Sequence, residues 1–226
     1  MATQLDLQEQ EQIDQLKAFW NQYGNLITWT LTLALAGVAA YNGWNWWQRE
    51  QATKAAAMVD ELDRAALAGD ATRSALAFAD LKARYPKTVQ AQQGALLAAK
   101  VQADKGQTDA ALATLAWVAD NAAEDEYRVV ARLRAAGLTM DKKQYDKALE
   151  QLDAAAALKT AEFDALVADR RGDVLLAQGK RAEAVTAYQA AYKAMDSKLE
   201  YRVLLDAKLT ALGAAPAAPA ASGATP

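Results

Sequence analysis

Residues 178–188 read QGKRAEAVTAY. The same pattern stands at 105–115 as KGQTDAALATL, at 142–152 as KKQYDKALEQL and at 68–78 as AGDATRSALAF. Each copy sets a polar or glycine-containing turn ahead of a helix whose packing face carries small residues. With Gly69, Gly106, Lys143 and Gly179 as equivalent turn positions, the copies are spaced 37, 37 and 36 residues apart. From Gln48 to Leu212 the chain is rich in alanine, leucine and charge, with no β-branched run of period two and only Pro86 as a breaker. That region reads as all-helical.

A helix–turn–helix period of about 34 residues is the tetratricopeptide pattern, and slightly longer helices or turns bring it to the spacing seen here. In the last copy Gly172 stands where the first helix of a pair must approach the second closely. Gly179 takes the turn, and Ala184, Tyr188 and Ala191 take small, large and small positions on the second helix. The first copy supplies Phe78 at the large position and Tyr85-Pro86 at a helix stop. The middle copies depart from the pattern: Leu115 and Leu152 replace the aromatic, Lys143 replaces the turn glycine, and neither has the closing proline. A generic alanine-rich helical bundle is the alternative. The expected pairs are 48–68 with 71–84, 88–104 with 108–121, 125–140 with 145–158, and 161–178 with 182–195. Asp70, Asp109 and Asp146 stand at or just inside the starts of second helices, where a carboxylate suits free N–H groups and the positive end of the helix dipole. A solenoid exposes an apolar face at its end, so a helix over 198–212 is expected to cap it. Residues 213–226, GAAPAAPAASGATP, read as a disordered tail.

Ahead of the repeats lies an uncharged run from Ala18 to Gln48, closed by Lys17 and Arg49. Its centre, Leu26 to Tyr41, is apolar, with Trp20, Tyr23 and Trp29 toward one end and Tyr41, Trp44, Trp46 and Trp47 toward the other. Such aromatic belts collect at membrane interfaces. From Tyr23 to Trp44 a helix rises roughly 33 Å, enough for a hydrocarbon layer of about 30 Å. Residues 25–47 therefore read as one transmembrane helix. A cleaved signal peptide fits poorly, because Asp6, Glu9, Glu11 and Asp14 outnumber Lys17 in what should be a basic leader. A buried core helix fits poorly too, since Leu31, Leu33 and Leu35 spread around the helix. Ala36, Ala40 and Gly43 are small and lie near one face, a weak pointer to a membrane partner. Residues 1–24 carry Leu5, Ile13, Leu16, Phe19 and Trp20, which make either a short amphipathic helix or a partly frayed tail.

The 226 residues carry a net charge of −3 with no Cys and no His. Disulfides and thiolate chemistry are excluded, and the commonest general base and zinc ligand is missing. The balance gives no basic footprint for nucleic acid. No phosphate loop, metal-ligand spacing or nucleophile–base pair is present. The expectation is a non-enzyme without cofactor or metal. The densest charge cluster, Asp169-Arg170-Arg171-Gly172-Asp173, reads as a solvated or groove-lining face on which Asp→Lys changes leave the fold nearly intact. Glu124-Asp125-Glu126 reads as a helix start, Met58, Met140 and Met195 as fillers of core gaps, and Trp117 as core. If the first helices line the inner surface of the array, the turn register puts Asp63, Lys100, Met140, Asp169, Asp173 and Leu176 in a protein-binding groove.

Three stretches, Glu11–Gly24 (EQIDQLKAFWNQYG), Gly43–Gln48 (GWNWWQ) and Leu166–Lys180 (LVADRRGDVLLAQGK), resemble the YfgM-like ancillary subunits of the bacterial Sec translocon. The run 167–173 is the most specific part. The resemblance implies a single-pass inner-membrane protein with a short cytoplasmic N-terminus and a periplasmic tetratricopeptide-like domain. Its implied partners are SecYEG, a membrane-anchored periplasmic chaperone of the prolyl-isomerase-like type, and secreted or membrane client proteins. It brings no catalytic residues. Charge counting points the other way on orientation: Lys17 precedes the span, while Arg49, Lys54 and Arg64 follow it. A membrane-anchored repeat scaffold for another envelope-assembly process is the competing function.

Overall fold

The structure is a computed structural model that describes residues 7–196 and 200–215. The described residues are helical, without strand: α1 (Leu7–Leu67), α2 (Ala71–Arg84), α3 (Val89–Asp104), α4 (Thr108–Asn121), α5 (Asp125–Asp141), α6 (Tyr145–Ala156), α7 (Ala161–Ala177), α8 (Arg181–Ala194) and α9 (Tyr201–Ala211). The chain divides into two compact units, residues 1–51 and 52–226.

In the first unit α1 is long and apolar enough to cross a membrane, and only 6% of its most apolar window is buried by protein. Four of its polar side chains bond to the helix's own backbone. The hydroxyls of Thr28, Thr30 and Thr32 donate to the carbonyls of Gly24, Leu26 and Thr28 at 2.7–2.8 Å, and the Asn42 amide donates to the Val38 carbonyl. In hydrocarbon an unmade hydrogen bond costs several kcal/mol, so these internal bonds suit a lipid setting. The tilted rings of Trp44 and Trp47 lie 5.3 Å apart, and those of Phe19 and Tyr23 5.1 Å. Ala36, Ala40 and Gly43 are exposed along this helix.

One expectation changes here. Residues 25–47 and 48–68 were expected as separate helices, with 1–24 either a short helix or a partly frayed tail, but α1 runs unbroken from Leu7 to Leu67. No Gly or Pro separates Trp44 from Ala68, and Gln48-Arg49-Glu50-Gln51 are all good helix formers. Polarity changes there without any stop signal. Residues 1–6, part of the expected capping helix (198–199) and most of the expected tail (216–226) lie outside the described residues.

The second unit is an array of helix pairs. Neighbours in sequence pack on each other from α2 to α9, and α5 also packs on both α3 and α7. Residues 52–67 of α1 join this unit through Leu62 and Ala55, which are fully buried. Leu62 clusters with Phe78 and Leu115, and the next cluster joins Val129, Leu152 and Val174. Alanine fills much of the rest, so helices approach closely.

The four turns close alike. Gly69, Gly106, Lys143 and Gly179 have φ of 62°, 74°, 58° and 80°. The residue after each donates its N–H to the carbonyl five back: Asp70 to Ala65, Gln107 to Gln102, Gln144 to Thr139 and Lys180 to Leu175, all at 2.8–2.9 Å. This is the Schellman closure, which needs a left-handed residue. Lys143 therefore holds a glycine's conformation. Asp70 caps α2 by accepting from the Arg73 N–H at 2.9 Å. Asp109 and Asp146 stand in the first turns of α4 and α6, as expected, and they also tie pairs together: Asp109 meets Lys142, and Asp146 accepts from the Gln178 amide at 3.2 Å.

Candidate functional site

The first helices of the pairs share a face with two adjoining clefts. One, of 410 Å³, includes Asp63, Leu67 and Leu97 in its wall. The other, of 510 Å³, lies among α3, α5 and α7 and reaches the core at Leu115. Lys100 and Asp104 line both, and they pair with each other at 2.5 Å. Of the sequence-derived groove residues, Asp63, Lys100 and Asp169 lie in cleft walls. Met140 packs half-buried against the α5–α6–α7 core, and Leu176 is exposed but lines neither cleft.

Asp169 departs from the solvated face expected for it. It is 3% exposed. Its carboxylate accepts the Tyr201 hydroxyl at 2.6 Å and the Lys208 ammonium at 2.7 Å. Lys208 also donates to Asp173 at 2.7 Å, and Asp173 accepts the Tyr188 hydroxyl at 2.8 Å. Spaced one turn apart on α7, the two carboxylates thus form a polar clamp that holds α9. Beside it Leu205 and Leu209 are buried against Ala184, Tyr188 and Met195. Burial pushes the Tyr201 phenol up to about 12, helped by its hydrogen bond to Asp169 and the charges of Asp169 and Asp173. Burial also raises Tyr188, reinforced by its bond to Asp173. The expectation that lysine at Asp169 spares the fold therefore fails, because it would set a second cation against Lys208 in a buried place.

Gly172 meets its expectation. A Cβ there would come closer than 3.0 Å to three carbons of the Tyr188 ring, so only glycine allows α7 to rest on α8 at this contact. Trp117 packs edge-on against Phe78 at 5.4 Å with Lys82 over its ring. It belongs to the packed surface of pairs one and two.

Sequence reasoning missed Arg134, Gly137 and Asp141 on α5, and Tyr201 on α9, all in the larger cleft's wall. A signal for Gly137 existed. Six residues before each turn position stand Asp63, Lys100, Gly137 and Asp173, and a strict register selects Gly137 where Met140 was expected.

An array of helix pairs with Schellman-closed turns, small-residue interfaces and a capping helix defines a tetratricopeptide-like repeat protein. The sequence profile of the family described as tetratricopeptide repeat-like domain matches residues 17–214, and the chain belongs to that family. An ancillary SecYEG translocon subunit of Neisseria gonorrhoeae is 29% identical over 210 residues, covering 91% of this chain and 98% of the relative. The Escherichia coli protein of that name is 27% identical, covering 82% and 87%. The Haemophilus influenzae one is 26% identical, covering 87% and 94%. These relatives carry the name of the family that the sequence resembles.

Proposed function

We propose that this chain is a non-enzymatic ancillary subunit of the SecYEG translocon in the bacterial inner membrane. The observation that carries the reading is the match to relatives of that name over nearly the full length of both chains, anchor included. The long apolar α1 supports membrane residence, and the repeat array supports a binding role. In this reading the N-terminus is cytoplasmic and the repeat unit periplasmic. The array binds a membrane-anchored chaperone of the prolyl-isomerase-like type and translocating client proteins, and the cleft-bearing face supplies the contact surface. Ala36, Ala40 and Gly43 offer a close-packing face to a partner helix in the bilayer.

The test is affinity purification of the tagged full chain from native membranes, with identification of what is retained. Recovery of Sec subunits above an unrelated single-pass control is the expected result. Their absence after mild detergent and after crosslinking in intact cells would sink the reading.

A further inference from the structure

Gly137 sits inside α5, where glycine costs stability against alanine. No packing contact explains it: a Cβ there meets nothing within 4 Å, unlike Gly94 or Gly172. The open space is the larger cleft, walled near Gly137 by Ala103, Leu133, Leu138 and Leu166. Gly137 therefore leaves an apolar socket on the face of the array.

The charges around this socket are mostly spoken for. Lys100 pairs with Asp104. Asp169 is held by Lys208 and Tyr201, and Arg170 lies 3.6 Å from Asp173. Two remain. Arg134 is exposed and its guanidinium donates only to the Leu96 carbonyl, at 3.0 Å. Asp141 is exposed, and no hydrogen bond or ion pair engages its carboxylate among the described residues. Seven residues apart on one helix, they stand about 10.5 Å from each other along the axis, with Gly137 and Leu138 between them.

We infer that the socket is a docking site for an amphipathic helical segment of a partner protein. That segment carries a large aliphatic side chain, with one acidic and one basic residue about two turns apart on either side of it. The aliphatic side chain enters over Gly137, the acid meets Arg134 and the base meets Asp141. A helix lying along α5 presents groups at i, i+3 or i+4, and i+7 on one face, which matches this spacing. A segment with its acid first docks parallel to α5 and one with its base first docks antiparallel, so either order of the two charges serves. The inference rests on the protein-binding reading above and names the chemistry of what is bound.

The experiment uses the purified full chain in detergent and three fluorescent, alanine-based helical peptides with a central leucine pair. They differ only in the flanking charges: Glu with Lys, Glu with Glu, or Lys with Lys. The mixed peptide should bind at least about tenfold more tightly than either like-charged one, because each like-charged peptide sets one of its charges against its own sign at Arg134 or Asp141. Gly137→Leu fills the socket and should abolish the preference. Arg134→Glu should turn the preference to the double-Lys peptide, and Asp141→Lys to the double-Glu peptide. Circular dichroism checks each variant's fold, and the two charge variants decide the matter if Gly137→Leu misfolds. Equal affinities for the three peptides, no binding of any of them, or unchanged preferences in the charge variants would overturn the inference. If Sec subunits are still recovered from native membranes when the peptides fail, only this inference falls. If they are not recovered either, the wider reading falls with it.

Discussion

A methyl group means opposite things at two glycines of this array. At Gly172 it would press into the Tyr188 ring, whose hydroxyl is tied to Asp173 and whose face lies 5.0 Å from the Lys208 ammonium. Neither α7 nor the ring can yield freely, so Gly172→Ala should cost about 1–3 kcal/mol through overpacking. At Gly137 the same methyl points into the cleft and only the backbone term remains, so Gly137→Ala should gain about 0.5–1 kcal/mol. Thermal unfolding of the full chain in detergent, followed by circular dichroism, should move the two midpoints in opposite directions. A loss at both sites would mean that the space over Gly137 is not open. Asp169 holds the fold through its polar contacts rather than through space. Asp169→Ala leaves the Lys208 ammonium with Asp173 alone and the Tyr201 hydroxyl without its acceptor, at a cost of about 1–3 kcal/mol. The loss should appear first as faster hydrogen exchange of the α9 amides. Unchanged exchange there would show that the apolar contacts of Leu205 and Leu209 alone hold the helix.

Among the elements, the turns were legible in the sequence and the capping helix only in outline. Positive φ at Gly69, Gly106 and Gly179 follows from local chemistry, and the repeat carried the same conformation to Lys143 against that residue's preference. A left-handed backbone costs a non-glycine residue about 1–2 kcal/mol. Lys143→Gly should therefore raise the thermal midpoint, by somewhat less than that cost because glycine also loosens the unfolded chain. The clamp on α9 was not legible. Asp169 and Asp173 meet Lys208 across 39 and 35 residues, and nothing within one helix turn announces such a partner. Viewed alone, α7 shows only carboxylates flanking two arginines, which is what a solvated face looks like. Gly137 was hidden differently, because its copy of the repeat is degenerate and offered Met140 as a plausible substitute. The clamp also sets a pH limit. Tyr201 holds its proton to about 12, against an ordinary value of 10.0. Since the folded value is the higher one, the contribution is fully present below pH 10 and is lost as pH rises from there through 12. The raised Tyr188 acts in the same direction. The α9 amides should thus lose protection selectively above about pH 10, and Tyr201→Phe should flatten part of that dependence. Protection that stays level up to pH 12 would show that neither phenol is tied to the docking of α9.

For the whole molecule, orientation is where two arguments conflict. Lys17 stands before the span while Arg49, Lys54 and Arg64 follow it, and basic residues favour the cytoplasmic side. The bias amounts to a few charges, however, and large domains translocate largely regardless of charge. Glu11 and Asp14 before the span do little to alter the count, because acidic residues contribute little to this rule. The relatives favour a translocon setting, in which a periplasmic repeat unit would meet emerging chains. The absence of cysteine makes the question directly measurable, since one introduced thiol labels without background. Gln15→Cys reports on the segment before the span, and Lys87→Cys on the exposed link between α2 and α3. Both sites are exposed, so neither change should disturb stability by more than about 0.5 kcal/mol. In spheroplasts a membrane-impermeant maleimide should modify Lys87→Cys at once and Gln15→Cys only after the inner membrane is opened. The reverse order would place the repeat unit in the cytoplasm. It would also remove the periplasmic chaperone from the set of available partners, leaving translocon contact to the membrane helix and to surfaces on the cytoplasmic side.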